Sequence, residues 1–193
     1  MNETLRNSLI EAAANGNTSE VARLTSSISE PLDCARAIRW AAHNGHLNCL
    51  KILMDVHNKL HDISPALYLA AGQGHLDCVS HLLPLVDPLY KNSAAMVEAA
   101  GNGHIECLEL LVGVSDCAQH GYTALLESAK NGHTNCAQIL VDKLPNTCLK
   151  DLRAYFTGRN LNLNIVDQLD AYAQRTRLMS EVGQTTAVQR RKI

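Results

Sequence analysis

Histidine and cysteine recur three residues apart at four places in the chain. The pairs are His46 and Cys49, His75 and Cys78, His104 and Cys107, and His133 and Cys136. On a helix this spacing places both side chains on one face, where they could share a metal ion. A zinc site needs four ligands that converge on one point, and no second close pair accompanies any of these pairs. We therefore predict no metal site and no cofactor.

The other three cysteines are Cys34, Cys117 and Cys148. A nucleophilic thiol needs a base, an orienting partner and a perturbed environment. Cys117 lies near His120, but we expect this pair to fall in a connector between helices. The sequence also lacks a G-x-S-x-G motif, a phosphate-binding glycine loop and an H-E-x-x-H motif. We predict no catalytic residue, and an enzyme with a cryptic Cys–His site remains the alternative.

The elements that position these residues are copies of one unit. Five segments align without gaps: EAAANGNTSEV, WAAHNGHLNCL, LAAGQGHLDCV, EAAGNGHIECL and ESAKNGHTNCA. Their glycines, at 29-residue intervals, are Gly16, Gly45, Gly74, Gly103 and Gly132. A constant interval indicates a repeat array. A further step of 29 residues reaches Leu161, and the surrounding LRAYFTGRNLNLNIVDQL predicts a sixth, degenerate copy.

Each unit predicts two helices. In the second unit Ile38, Ala41 and Ala42 follow the i, i+3, i+4 pattern of one buried helical face. The glycine ends this first helix, because it tolerates the left-handed conformation that follows a helix C-terminus. A second helix begins about two residues later, with Cys49 and Leu53 on one face. No stretch of strand length alternates with period two, so the predicted fold class is all-α.

The segments AAHNGHLNCLKIL and AAGNGHIECLELL resemble the AA-x-x-GH-x-x-V-x-x-L core of the ankyrin repeat family. The resemblance covers residues 3 to about 170, although the period is 29 and the family period is about 33. It implies a helix-turn-helix solenoid of about six repeats with truncated hairpin loops, in which a tight turn or 3₁₀ link replaces each β-hairpin. It also implies that the repeated histidines bridge backbone groups between repeats and that the repeated cysteines pack in the core.

The chain divides into an array over residues 1–170 and a basic tail over residues 177–193. We place the repeats at 3–31, 32–60, 61–89, 90–118, 119–147 and 148–176, the last as a degenerate cap. The charged residues near the tail are Arg175, Arg177, Glu181, Arg190, Arg191 and Lys192. We expect a solvated end with fraying or disorder. Binding of nucleic acid or an acidic partner through this tail is the alternative.

Composition narrows the environment and the function. Apolar residues at 46% indicate a folded protein, and a net charge of -2 favours no nucleic-acid partner. No apolar stretch approaches the roughly 18 residues of a membrane span. Seven cysteines without an export signal are typical of reduced thiols. We expect a monomer in an intracellular, reducing compartment, either the cytoplasm or, for a delivered effector, the cytoplasm of a host cell.

The resemblance also implies a partner protein bound in the groove of the first helices, as by an adaptor, an inhibitor or a small pathogen-type effector. Positions five and two residues before each glycine face away from the buried stripe. These positions hold Glu11 and Ala14, Trp40 and His43, Leu69 and Gly72, Glu98 and Gly101, Glu127 and Lys130, and Phe156 and Arg159. The predicted partner-binding residues are Arg39, Trp40, His43, Tyr68, Leu69, Glu98, Glu127 and Lys130.

In this hypothesis Trp40 and Leu69 form an apolar anchor site, which Arg39 and Tyr68 flank. Glu98 and Glu127 form an acidic stretch next to it. A partner with an apolar side chain followed by basic residues would fit. The alternative is structural: Leu69 packs against its neighbour, the two glutamates are solvated helix residues, and Trp40 belongs to the core.

Overall fold

The structure, a computed structural model, describes residues 3–27, 31–56, 63–145 and 147–190. These residues form twelve α-helices and no β-strand. The helices are α1 Glu3–Ala14, α2 Thr18–Thr25, α3 Pro31–His43, α4 Leu47–Val56, α5 Ser64–Gly72, α6 Leu76–Leu82, α7 Tyr90–Gly101, α8 Ile105–Val112, α9 Cys117–Lys130, α10 Thr134–Val141, α11 Thr147–Gly158 and α12 Asn164–Arg190. The predicted all-α class is confirmed.

The helices form two layers. The first helices of the repeats, α1, α3, α5, α7 and α9, pack side by side in chain order, and the second helices α2, α4, α6, α8, α10 and α12 form the other layer. Each unit therefore buries its apolar face only by stacking on its neighbours, as in a solenoid. None of the helices in the described ranges is both long and apolar enough to cross a bilayer.

Small side chains set the spacing of the first layer. Ala41 and Ala42 of α3 are fully buried, as are Ala70 and Ala71 of α5. Because alanine adds little bulk between two helices, the backbones approach closely and the layer packs densely. Larger residues fill the space between the layers, where Leu50, Leu53 and their counterparts in later repeats are buried completely. The helical stripes read from the sequence are confirmed.

A left-handed glycine separates the two helices in each of the first five repeats. Its φ lies between +71° and +82° in all five, at Gly16, Gly45, Gly74, Gly103 and Gly132. In the second repeat the N–H that follows, that of His46, donates to the carbonyl of Ala41 at 2.8 Å. This bond satisfies a carbonyl that the end of α3 leaves open. The next helix begins two residues after each glycine, as predicted.

The sixth repeat departs from the predicted register by one residue. Asn160, with φ of +53°, takes the left-handed position, and it follows Gly132 by 28 residues rather than 29. The N–H of Leu161 donates to Phe156 at 2.9 Å, the equivalent of the bond from His46 to Ala41. Asparagine tolerates this conformation because its short polar side chain bonds locally. The prediction that Leu161 occupies the glycine position is therefore wrong.

The shift also corrects the predicted exposed position of this repeat. One residue is about 100° around a helix, so Phe156 occupies the position of Ala41 and is buried. Tyr155 takes the place predicted for Phe156 and is partly buried against the core. Arg159 stacks on the Tyr155 ring, with its guanidinium carbon 4.8 Å from the ring centroid. Phe156 is therefore a core residue and not part of the predicted groove.

The described connectors are turns and bends. They span residues 83–89, 113–116 and 142–145, and Pro84, Pro88 and Pro145 lie within them, where no helix continues. The expectation of shortened hairpin loops is confirmed for these segments. Residues 28–30 and 57–62, which lie in two other connectors, are outside the described residues.

Helix α12 extends well past the predicted end of the array. It continues without a break to Arg190, and so includes most of the segment predicted as a basic tail. Its first half is anchored, because Arg153 of α11 forms ion pairs with Asp167 at 2.6 Å and Asp170 at 2.5 Å. Tyr172 donates to Asp142 at 2.7 Å. The last three residues, 191–193, lie outside the described part.

Candidate functional site

The repeated histidines join neighbouring repeats. Because a carbonyl oxygen only accepts, Nε2 of three of these rings donates to the carbonyl two residues before the preceding repeat's glycine. The bonds are His46 to Ala14 at 3.0 Å, His75 to His43 at 2.9 Å, and His104 to Gly72 at 3.1 Å. Asparagine side chains reinforce them, as Asn44 donates to Ala14 at 2.8 Å. The prediction that the repeated histidines bridge backbone groups between repeats is confirmed for His46, His75 and His104, while Asn131 is the donor to Gly101 at the fourth interface, at 2.6 Å.

The repeated cysteines lie in the core. Cys49, Cys78, Cys107 and Cys136 are each at most 1% exposed. Burial is the main cause that raises the pKa of Cys78 and of Cys107 to about 11, and the neighbouring carboxylates add to it. Such thiols are neither nucleophiles nor ready ligands. In the described parts of the chain, no three His, Cys, Asp or Glu side chains gather as a metal site would require.

The raised pKa values predict a loss of stability at high pH. The thiols of Cys78 and Cys107 ionise from an ordinary pKa of 9.0 in the unfolded chain but near 11 in the fold. The unfolded state therefore loses these protons first as the pH rises. The contribution of the two buried thiols to the free energy of unfolding is fully present below pH 9 and is lost as the pH rises toward about 11. Urea unfolding between these pH values measures the slope. A Cys78→Ala, Cys107→Ala double variant should show a shallower decline, and equal slopes would contradict this.

Cys117 and His120 lie in the first turn of helix α9 and not in a connector, so that expectation is wrong. Asp116 caps this helix by accepting from the N–H of Gln119 at 3.1 Å. The single S–H of Cys117 has two acceptors within reach, the sulfur of Met96 at 3.6 Å and the carbonyl of Val112 at 3.5 Å. Burial raises its pKa. Its surroundings therefore favour the protonated thiol, whereas an activated nucleophile needs a lowered pKa.

Trp40 and Leu69 meet in a surface pocket. Arg36, Arg39, Trp40 and His43 follow the i, i+3, i+4, i+7 pattern on one face of α3, and Leu69 of α5 closes the pocket, whose volume is about 240 Å³. Trp40 is 45% exposed, and its ring centroid lies 5.6 Å from that of His43 at an interplanar angle of 51°. Trp40 is therefore a surface residue and not part of the core.

Arg36 is a pocket residue that sequence reasoning missed. It lies four residues before Trp40, so the helical period alone could have placed it on this face. Arg36 and Arg39 both line the pocket, and neither forms an ion pair with a described residue. The apolar pocket therefore has a cationic rim.

Tyr68 lies outside this pocket, although the sequence analysis placed it on the flank. Its ring stacks on Tyr90 of the next repeat, with centroids 6.3 Å apart and planes 14° from parallel. The Lys91 ammonium lies 5.9 Å from the Tyr68 centroid and 5.4 Å from that of Tyr90. These contacts give Tyr68 a structural partner of its own.

The periodic glycines, the bridging histidines and the paired helix layers identify one kind of array. The sequence profile of ankyrin repeats (3 copies) matches residues 9–92 and again residues 67–151. The chain belongs to the ankyrin repeat family. Ankyrin repeats are generally protein–protein interaction modules and are typically not enzymes. A comparison with curated proteins found no match.

The two predicted acidic residues of the ankyrin array differ in their surroundings. Glu127 forms an ion pair with Lys130 at 2.9 Å, and this contact raises the pKa of Lys130. Glu98 has no ion-pair partner among the described residues, and its Cβ lies against Gly72 of the preceding repeat. The structure thus joins Arg39, Trp40, His43 and Leu69 in one pocket. It places Tyr68, Glu98 and the Glu127–Lys130 pair elsewhere on the repeats.

Proposed function

We propose that this ankyrin array binds a partner protein through the exposed face of its first helices, with the Trp40–Leu69 pocket as the anchor site. The single observation that supports this most is the exposure of Trp40, the only tryptophan in the chain. Tryptophan and arginine dominate the energetics of protein interfaces, and this pocket presents one tryptophan with two arginines.

The volume of the pocket favours a side chain of a partner over a small-molecule ligand. Pockets for drug-sized ligands are typically about 300–1,000 Å³ and enclose most of the ligand. The Trp40–Leu69 pocket, at about 240 Å³, is smaller and open to solvent on one side. One apolar side chain, presented by a protein segment that also contacts the surrounding helices, suits this space.

The charges around the pocket indicate the chemistry of the partner segment. Arg36 and Arg39 favour an acidic residue directly beside the apolar anchor. Farther along the array the unpaired carboxylate of Glu98 favours a basic residue. The Glu127–Lys130 pair is already neutralised internally. We therefore propose a partner segment with an apolar anchor, an acidic neighbour on one side and a basic residue toward α7.

Replacing Trp40 with alanine tests this function. We expect the partner to bind at least about 30-fold more weakly, because truncation of a central interface tryptophan costs about 2 kcal/mol or more. The far-ultraviolet circular dichroism and the midpoint of urea unfolding should stay close to those of the unchanged protein, because the Trp40 side chain lies at the surface. Quantitative affinity enrichment, followed by titration of the purified partner, measures the loss.

Leu110→Ala is the matched control. Leu110 is 39% exposed, similar to Trp40, but belongs to α8 in the opposite layer. A partner captured by the unchanged protein and by Leu110→Ala, but not by Trp40→Ala, supports the proposal. Equal capture by Trp40→Ala would refute the anchor site, and unfolding of that variant would show that Trp40 acts in the fold.

A further inference from the structure

Four of the five glycine turns are covered by a histidine from the next repeat. A methyl group built on these glycines would come within 2.5–2.7 Å of Nδ1 of the covering ring. The pairs are Gly16 and His46, Gly45 and His75, Gly74 and His104, and Gly103 and His133. At each of these four interfaces, a histidine or asparagine of the next repeat donates to the carbonyl two residues before the glycine. Each of these four turns thus binds two groups of the next repeat: an imidazole ring over the glycine and a hydrogen-bond donor at the carbonyl.

The fifth turn lacks this cover. A methyl group on Gly132 would meet no atom of the described residues within 4 Å. Leu161 follows the left-handed Asn160 where the second to fifth repeats have histidine, so the sixth repeat supplies no imidazole at this position. No described side chain donates to the carbonyl of Lys130, the equivalent of Gly101, whose carbonyl accepts from Asn131 at 2.6 Å. The backbone of this turn matches the others, but its side-chain partners are missing.

A cleft of about 560 Å³ opens at this turn. Lys130 and Gly132 line one side of it, and Leu161, Asn162 and Gln168 line the other. It lies between α9 and the segment that joins α11 to α12, at the opposite end of the array from Trp40. Phe156, which stands where the other first helices carry alanine or serine, also lines the cleft.

We propose that this cleft binds a histidine side chain of a partner protein, with its imidazole over Gly132 and its N–H on the carbonyl of Lys130. The four covered turns of the same chain indicate this occupant. In each of them a flat ring lies over a glycine, where a Cβ would collide with it, and a donor bonds to a helix-terminal carbonyl. The negative end of the α9 dipole favours such a donor, and a neutral or a protonated imidazole can supply it.

Titration with N-acetyl-L-histidine methylamide, followed by ¹H–¹⁵N NMR, tests the proposal. We expect saturating shifts of the amides of Asn131, Gly132 and Asn162. The amides of Gly16, Gly45, Gly74 and Gly103 should not move, because their own histidines already cover those turns. The absence of shifts at Gly132, or equal shifts at all five glycines, would overturn the proposal.

Leu161→Asn and Leu161→His separate a histidine site from general binding in the cleft. In Leu161→His the new ring covers Gly132, so the response to the probe should disappear and the midpoint of thermal unfolding should rise. Leu161→Asn removes the leucine without supplying a ring and should keep the response. Leu178→His places a histidine on an exposed part of α12 and should leave both measurements unchanged. A full response in Leu161→His would contradict the assigned position.

Discussion

Replacement of Gly74 with alanine should lower the free energy of unfolding by about 3 kcal/mol. Gly74 has φ of +75°, and an alanine held there costs about 1 kcal/mol. The new methyl group would also lie 2.5 Å from Nδ1 of His104. The ring would have to move, which strains a packed interface and breaks its 3.1 Å bond to Gly72, at a further cost of about 2 kcal/mol.

Gly132→Ala separates the two contributions. Gly132 has nearly the same backbone conformation, with φ of +82°, but within the described part of the chain no atom lies within 4 Å of an added methyl group. Its cost should therefore be only about 1 kcal/mol, from the backbone alone. Urea unfolding of both variants, followed by circular dichroism, measures the difference. If the two substitutions cost the same, the histidine contacts contribute nothing to stability.

Leu108→Ala should lower the free energy of unfolding by about 3 kcal/mol as well. Leu108 lies in the middle of the array on α8 and is completely buried between the two layers. Its truncation removes apolar burial and leaves a cavity, because the alanine-rich helices around it are already in close contact. In a repeat array the loss also weakens the coupling between neighbouring repeats, so the unfolding transition should broaden.

Leu110→Ala, two residues away, is the comparison for this change. It removes the same atoms from the same helix, but its side chain is 39% exposed and loses far less burial. We expect a loss below about 1 kcal/mol, measured by the same urea titration. A loss at Leu110 equal to that at Leu108 would contradict the assignment of the two faces of α8.

Most of the fold could be predicted because the information is local and repeated. Five glycines at one interval, each preceded by a pair of small residues that is Ala-Ala in four copies and Ser-Ala in the fifth, indicate helix ends and buried faces without any knowledge of distant contacts. The histidine bridges could be predicted from the family pattern for the same reason. The sixth repeat could not be placed by the interval, because Asn160 replaces the glycine one residue early and no periodic signal remains there.

The candidate site was predicted in part. The helical period places Trp40, His43 and Arg39 on one exposed face, and it would have added Arg36. The helical period places a residue on a face of the helix, but it does not predict which neighbouring repeat a long side chain contacts. Tyr68 is next to Leu69 in sequence, but its ring packs on Tyr90 of the following repeat, a contact between residues far apart in the chain.

The paired-helix unit, its left-handed turn and the burial of its alanine and cysteine positions could be predicted without the structure. These features depend on interactions within one or two helical turns; five copies repeat the glycine turn, and four repeat the cysteine. The packing of the repeats was needed to show that Phe156 enters the core, that Tyr68 leaves the anchor pocket and that the turn at Gly132 stays open. The physical reason is that each of these outcomes depends on which side chain the neighbouring repeat brings to the interface, and the irregular positions of that repeat carry no local signal.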